Sequence, residues 1–312
     1  MNTKRLAQLP QLFRSPFLRK VALGKYHREL CERLASAGLS DLLELKLGDI
    51  FENIYEILMK YYRCEYVFKT SLLRTFFDSE LSADHQSYLT DEFRVGACRV
   101  DLAIFSAVSI AFEIKTDYDS ATRLPSQTSE YCKVFDFVGL VTTDKMFRKL
   151  KRAIPQDIGV LTLNEAGTFS LVRDSRSHAN KTDLGAMFDC LRQKERLAIV
   201  ERVCGYKGNA PNSKIYAECK RRFRQLIPFE AHAHCLEVLR NRGYPAPSVQ
   251  LMLDVPNSLK YAVLMLRAPN HEMRRINDEL QVVPKNTKHE PNTHNGHIFS
   301  ISQGKARRTI CA

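Results

Sequence analysis

The sequence lacks the long apolar segments that a membrane protein needs. No run approaches the roughly 18 apolar residues that suggest a membrane span. The N-terminal stretch MNTKRLAQLPQLFRSPFLRK is basic, but it has no continuous apolar core of the kind found in secretory signal peptides. These two absences predict a soluble cytoplasmic protein without a membrane partner.

The sequence also lacks the Cys-x2-Cys pairs that are typical of zinc sites. Its nine cysteines are scattered and odd in number, which predicts reduced, mostly buried thiols rather than a disulfide framework. The nearest approach to a transition-metal motif is His232-x-His234-Cys235. Its two histidines would diverge on a helix, so we expect no zinc there.

Acidic residues are scarce in the C-terminal part of the chain. Residues 1–175 carry 24 Lys+Arg and 23 Asp+Glu, whereas residues 176–312 carry 23 and 12, so most of the net charge of +12 lies in the second part. This asymmetry favours a near-neutral core followed by a basic region that binds a polyanion. A basic, solvated helical surface explains the same numbers.

The residues best suited to form a reactive or ligand-binding site lie between Arg99 and Asp136. Two short β-prone runs, from Val100 to Phe105 and from Ile110 to Ile114, flank a turn and predict a hairpin. Asp101, Glu113 and Lys115 interrupt this apolar hairpin, and the last two share one face of their strand. Buried charges must be paired, solvated or gathered around a cation. The plain alternative is a salt-bridged strand end.

The pattern Asp-x11-Glu-x-Lys is followed by Gln127-x3-Tyr131 in a predicted helix. This combination resembles the PD-(D/E)XK nuclease superfamily, and within it the RecB-like branch that is marked by a Gln-x3-Tyr helix. The stretch FEIKTDYDSATRLPSQTSEYCKVFDFVGLVTT looks most like a group of bacterial and phage proteins of unknown role that carry this core. The close resemblance covers residues 92–143, and a weaker one extends to residue 173. Val100 occupies the position of the superfamily's proline.

The resemblance implies a metal-dependent catalytic site. Asp101, Glu113 and the carbonyl of Ile114 would bind Mg²⁺ or Mn²⁺, because hard cations prefer oxygen ligands. Lys115 would position the attacking water or neutralise charge in the transition state. On the helix, Gln127 would hold a phosphate or a metal-bound water, and Tyr131 would face the same site or simply pack.

A further acidic ligand is expected, and the sequence leaves its identity open. In the resembling superfamily a helix before the sheet often supplies it, which favours Glu52 first and Glu56 second, although a solvated helix face explains both. Glu92, nine residues before Asp101, is the competing candidate. Candidate phosphate contacts are the residues flanking the motif and a basic cluster further on: Arg99, Arg123, Lys220, Arg221, Arg222 and Arg224.

The predicted fold is α/β, with a restriction-endonuclease-like core whose mixed central sheet is flanked by helices, and a basic helical C-terminal region. We expect a helical segment at 1–48, the nuclease-like core at 49–175, a basic helical domain at 176–268 and a flexible tail at 269–312. Within the core, Asp49 should cap a helix from Ile50 to Tyr62, and a strand is expected from Cys64 to Lys69.

These observations predict a metal-dependent nuclease that acts on DNA rather than RNA. The alternatives are a non-catalytic nucleic-acid-binding regulator on a nuclease-like fold and a metal-free interaction protein. The sequence leaves the oligomeric state open, with a homodimer among the options.

Overall fold

The computed structural model describes residues 3–76 and 87–284. The helices are α1 (Thr3–Leu6), α2 (Ser15–Ala22), α3 (His27–Ala37), α4 (Leu47–Tyr61), α5 (Glu65–Phe76), α6 (Leu124–Tyr131), α7 (Asp144–Leu150), α8 (Leu184–Cys190), α9 (Gln193–Cys204), α10 (Asn212–Phe223), α11 (Pro228–Arg240), α12 (Ala246–Asp254), α13 (Lys260–Leu266) and α14 (Asn270–Leu280). The strands are β1 (Tyr88–Val95), β2 (Cys98–Phe105), β3 (Ser109–Ile114), β4 (Phe137–Thr142), β5 (Gly159–Leu163) and β6 (Phe169–Arg173).

The strands form one six-stranded mixed sheet in which spatial order equals chain order. β1, β2 and β3 pair as an antiparallel meander, β3, β4 and β5 run parallel, and β6 returns antiparallel to β5. The parallel connections pass through α6 and α7, as parallel pairing requires a crossover. The prediction of an α/β fold with a mixed central sheet flanked by helices is confirmed.

Helices cover the two faces of this sheet with two separate apolar clusters. On one face, α1 to α5 and α12 to α14 pack against sheet residues such as Leu102, Phe112 and Val141, and we call this the first layer. On the other face, α6 to α11 pack against residues such as Ala103 and Leu140, and we call this the second layer. No helix in the described ranges is long and apolar enough to cross a membrane.

The second layer corrects the expected division at residue 176. Met187 and Phe188 of α8, Val200 of α9 and Phe223 of α10 belong to the same buried cluster as the sheet residues Tyr88 and Val138. The helices after the polar connector at 174–180 therefore share the core of the sheet and do not form a separate hydrophobic core.

The expected tail at 269–312 is wrong over its first part, and residues 285–312 lie outside the described residues. Helix α14 spans Asn270–Leu280 and buries Met273, Ile276 and Leu280, which lie at helical spacing on one face. Arg19 of α2 pairs with Glu272 at 2.7 Å. An amphipathic stripe that finds a partner surface is stable even where large apolar residues are few.

The segment expected to be a strand from Cys64 to Lys69 is helical. Helix α5 begins at Glu65 and continues to Phe76, with Val67, Phe68 and Leu72 buried in the first layer. Aromatic and β-branched residues favour strands locally, but packing against the first layer overrides this preference. The helix expected from Ile50 begins earlier, at Leu47, with Lys46 rather than Asp49 at the N-cap. Strand β1 was not expected.

Truncating a buried side chain of α14 should destabilise the whole protein. We expect Ile276→Ala, at a fully buried position, to lower the free energy of unfolding by about 2–5 kcal/mol. The matched control Arg275→Ala, on the exposed face of the same helix, should change it by no more than about 0.5 kcal/mol. Urea unfolding of both variants measures the difference, and equal midpoints would show that α14 contributes nothing to the core.

Candidate metal centre and catalytic cluster

Asp101 lies on β2 beside the end of β3. The strands pair Leu102 with Phe112, so one step further along Asp101 is level with Glu113. Its Oδ2 atom accepts a hydrogen bond of 2.7 Å from the backbone N–H of Ile114. The hairpin therefore brings the predicted residues of the two strands to one place.

On its other side, Asp101 faces an irregular point of β1. Register pairs Asp91 with Leu102 and Phe93 with Val100, which leaves Glu92 opposite Asp101. Glu92 has a φ of 49°, in the left-handed region that residues other than glycine rarely adopt. Strain of this kind costs about 1–3 kcal/mol and is concentrated at functional sites.

Helix α5 adds a third carboxylate from the first layer. One carboxylate oxygen each from Glu65, Glu92 and Asp101 lies within 4.8 Å of the others, and we call these three residues the acidic cluster. Lys69, one turn along α5, places its Nζ atom 2.5 Å from Glu65 and 4.0 Å from Glu92. Its side chain is only 7% exposed, so a buried ammonium compensates two of the three carboxylates.

Glu113 and Lys115 form a second group on the face of the sheet that α6 covers. The Nζ atom of Lys115 lies 2.5 Å from Glu113 Oε1, and the two side chains are 10% and 1% exposed. Lys115 also donates to Gln127 Oε1 at 3.4 Å. The hydroxyl of Tyr131 lies 2.9 Å from Glu113 Oε2 and 2.5 Å from the carbonyl oxygen of Arg99.

Both predicted residues of the Gln-x3-Tyr helix thus contact the Glu-x-Lys strand. Tyr131 is fully buried, and burial followed by the nearby Glu113 carboxylate raises the pKa of its hydroxyl, so it remains a donor. Tyr131 therefore holds Glu113 in position, whereas Gln127 orients the ammonium of Lys115.

Burial and a neighbouring acid raise the proton affinity of Asp101. Burial, and then the charge of Glu113, raises the pKa of Asp101 to about 7, although the N–H of Ile114 acts in the opposite direction. Burial alone would lower the pKa of Lys69, but the carboxylates of Glu65, Asp91 and Asp101 outweigh it and raise that pKa. Lys69 therefore stays protonated at physiological pH, held by the carboxylates around it.

The acidic cluster fits a hard divalent cation. Its three carboxylates provide oxygen ligands, which Mg²⁺ and Mn²⁺ prefer. Glu113 is not part of this cluster, because its two oxygens face Lys115 and Tyr131. Its role as a metal ligand stays a prediction, as does that of the Ile114 carbonyl.

The candidates for the further acidic ligand are separated by the structure. Glu92 joins the cluster, whereas Glu52 on α4 accepts a hydrogen bond of 3.2 Å from the backbone N–H of Ser258 and does not join it. Glu56 is exposed on α4. Sequence reasoning misses Glu65, because the residues from Cys64 to Lys69 favour a strand. On a helix, Glu65 lies one turn from Lys69 and forms an i,i+4 ion pair with it.

The two arginines beside the motif lie at the surface. Arg99 is 68% exposed and lies 3.5 Å from Glu92, at the edge of the acidic cluster. Arg123 is exposed and precedes α6, and its carbonyl accepts a hydrogen bond from the N–H of Gln127 at 2.9 Å. Both positions are open to a phosphate backbone.

The basic cluster of α10 is largely occupied by ion pairs. Lys220 lies 2.6 Å from Asp189, and both Arg221 and Arg222 lie 2.8 Å from Glu218. Arg224 is exposed at the end of the same helix. The cluster therefore presents less free positive charge than its sequence indicates.

A cleft of about 780 Å³ opens beside the acidic cluster. Glu65, Lys69 and Glu92 form part of its wall, together with Arg14 near the start of α2 and Arg99. This size lies within the usual range for ligand sites, and two arginines on the wall suit an anionic occupant.

Comparison with known proteins assigns the chain to a family. Residues 59–249, more than half of the chain, match the family described as Bacteriophage P4 protein cII, and the protein belongs to that family. The matched range includes the acidic cluster and all of the sheet, but not Glu52.

One relative is Protein cII of Enterobacteria phage P4, which is 33% identical over 88 residues. The aligned segment covers 27% of this chain and 33% of that protein, so the chain spans only about a third of the length of its curated relative. No solved structure matches.

The raised pKa of Asp101 predicts how pH changes stability without metal. A carboxyl that binds its proton more tightly when folded stabilises the fold below its unfolded pKa of about 4, and this contribution is lost as pH rises through about 7. In EDTA at pH 7.5, Asp101→Asn should therefore be as stable as the wild type or more stable, because its amide oxygen still accepts from Ile114.

Thermal melts at about pH 4 and at pH 7.5, with and without Mg²⁺, test this expectation. Mg²⁺ should raise the Tm of the wild type more than that of the variant. The exposed Asp174→Asn is the matched control and should respond to Mg²⁺ like the wild type. A loss of about 3–5 kcal/mol in Asp101→Asn, without a metal response in either protein, would instead identify a structural ion pair.

Proposed function

We propose that this protein is a Mg²⁺- or Mn²⁺-dependent nuclease that hydrolyses phosphodiester bonds of DNA in preference to RNA. The observation that carries the proposal is the convergence on Asp101 of two groups from opposite faces of the sheet. The acidic cluster can bind a cation, and beside it Glu113, Lys115 and Gln127 form a hydrogen-bonded row.

The resemblance to the PD-(D/E)XK superfamily is part of the same proposal. It is supported by the order of elements around the motif, in which Asp101 lies on the middle strand of a meander and Glu113 and Lys115 lie on the next strand. The helix that carries Gln127 and Tyr131 then crosses over to a parallel strand.

In the proposed reaction, Glu65, Glu92 and Asp101 would hold the cation beside the cleft. A bound divalent cation would activate water and stabilise the charge that develops on the phosphate. Lys115, fixed between Glu113 and Gln127, offers an ammonium that can orient the attacking water or offset the developing charge. Arg99, at the exposed edge, is positioned to contact the phosphate backbone.

A non-catalytic nucleic-acid-binding regulator is the second candidate function. The family match favours it, because the description of the family names a phage protein and no enzymatic activity. Both functions require nucleic-acid binding, and only the nuclease requires cleavage that chelation stops. Binding without cleavage of double-stranded DNA, single-stranded DNA or RNA in Mg²⁺ and in Mn²⁺ would establish the regulator.

Removing one carboxylate of the acidic cluster should stop cleavage. We expect Glu65→Gln to reduce the cleavage rate at least about 100-fold, since even the outer-shell partners of a bound metal contribute about 10–100-fold. The matched control Glu52→Gln, on the neighbouring helix, should cleave at close to the wild-type rate. The cleavage rates of the two variants are compared as initial rates on supercoiled and linear DNA, with circular dichroism to verify folding. Equal losses in both variants would show that Glu65 is not a metal ligand.

Binding should depend on Arg99 more than on Lys220. Because Lys220 is already paired with Asp189, Lys220→Ala should leave DNA affinity and its salt dependence nearly unchanged. Arg99→Ala should weaken binding and lower the slope of log K against log salt by about 1, the value for one lost phosphate contact. Fluorescence anisotropy in Ca²⁺ at several salt concentrations measures both affinities. A larger change in Lys220→Ala would indicate that DNA contacts α10 in the second layer rather than the surface at Arg99.

A further inference from the structure

A second group of metal-ligand residues lies away from the acidic cluster, at the end of α6. Cys132 follows α6 directly, Asp157 precedes β5, and His178 lies in the connector at 174–180. One ligand atom from each of the three lies within 4.8 Å of the others. The Sγ atom of Cys132 is 3.4 Å from His178 Nε2, and the Oδ2 atom of Asp157 is 3.8 Å from His178 Nδ1.

His178 is buried without full hydrogen bonding. Its side chain is 1% exposed, and its Nδ1 atom has no hydrogen-bond partner within the described part of the chain. Buried polar atoms are nearly always satisfied, so an exception calls for an explanation such as an ion or a water molecule. The unsatisfied atom faces Asp157, inside the group of three.

The backbone holds the three segments in place. The N–H of Arg176 donates to the carbonyl of Asp157 at 3.0 Å, and the N–H of His178 donates to the carbonyl of Asp136 at 2.8 Å. The N–H of Cys132 donates to Thr128 at 3.0 Å within the last turn of α6. These bonds fix the main chain at each of the three residues, so only side-chain rotation is needed to bring the ligand atoms to one point.

We propose that Cys132, Asp157 and His178 bind a Zn²⁺ ion that fastens the end of α6 to the sheet and to the connector. Sulfur and imidazole ligands select zinc over magnesium. The ion would bind His178 through Nδ1, the atom without a partner, so the Cys132 thiolate would turn from Nε2 toward Asp157. One ligand atom from each of the three residues already lies within 4.8 Å of the others. A water molecule takes the fourth position, beside Asp157, whose side chain is 33% exposed.

Binding converts the thiol of Cys132 to a thiolate and releases one proton to solvent. Without metal, burial and then the charge of Asp157 raise the pKa of this thiol to about 11. A thiol with so high a pKa is a weak nucleophile, which argues against a catalytic Cys-His-Asp triad. Burial lowers the pKa of His178, which keeps its imidazole neutral and available as a ligand. The site is separate from the proposed catalytic centre, although Cys132 is adjacent to Tyr131.

The full chain, stripped of metal and free of metal-binding tags, should be titrated with Zn²⁺ and with Co²⁺. We expect one tight equivalent of Zn²⁺, and a thiolate-to-cobalt charge-transfer band in the Co²⁺ complex. Cys132→Ser should abolish the band and weaken Zn²⁺ binding at least about 100-fold, as loss of a ligand exceeds the effect of an outer-shell partner. Asp157→Asn, at a half-exposed position, should weaken it at least about 10-fold.

Cys235→Ser is the matched control, because Cys235 is a buried thiol in the second layer and is not part of the group. It should retain the band and the Zn²⁺ affinity. The proposal is overturned if the wild type shows no charge-transfer band, or if the band survives in Cys132→Ser. If Cys132→Ser does not fold, the Co²⁺ spectrum of the wild type and the Zn²⁺ affinity of Asp157→Asn still test the proposal. An unchanged Zn²⁺ affinity in Asp157→Asn would count against the site.

Discussion

Charge compensation around Asp101 is the constraint on which the rest of the structure depends. Several carboxylates can lie together beside the edge of an apolar sheet only if positive charge reaches them from nearby. Two lysines provide it from opposite faces, Lys69 from α5 in the first layer and Lys115 from β3 beside α6. The docking of these two helices and the position of the acids are consequently parts of one arrangement.

The same arrangement explains why a metal could act here without reorganising the fold. A cation bound by the acidic cluster would take over part of the compensation that Lys69 provides, while Lys115 stays with Glu113 and Gln127. The strained backbone at Glu92 keeps that carboxylate directed at the same point. In the proposed nuclease, the fold would hold the three carboxylates together before an ion binds, and preorganisation of this kind strengthens electrostatic effects on a reaction.

Local patterns predicted the centre of the molecule well. Strands β2 and β3 contain the two predicted hairpin runs, and Asp101, Lys115 and Gln127 lie together as the hairpin and helix patterns indicate. Errors arose where tertiary packing decides. Glu65 went unrecognised because the aromatic residues around it mimic a strand, and α14 because its stripe of three apolar residues is stable only against other helices. The Cys132 group joins three distant segments, which no spacing rule detects.

The two ends of the described chain complete one layer together, and this has a consequence for synthesis. The N–H of Leu47 donates to the carbonyl of Val282 at 2.9 Å, and the hydroxyl of Tyr26 donates to Glu279 at 3.0 Å. Contacts this distant in sequence are slow to form, and chain segments awaiting them expose apolar surface. During synthesis, the apolar faces of the first helices would therefore stay exposed until α14 has left the ribosome. Nascent chains would be most prone to aggregation and to chaperone binding before that point.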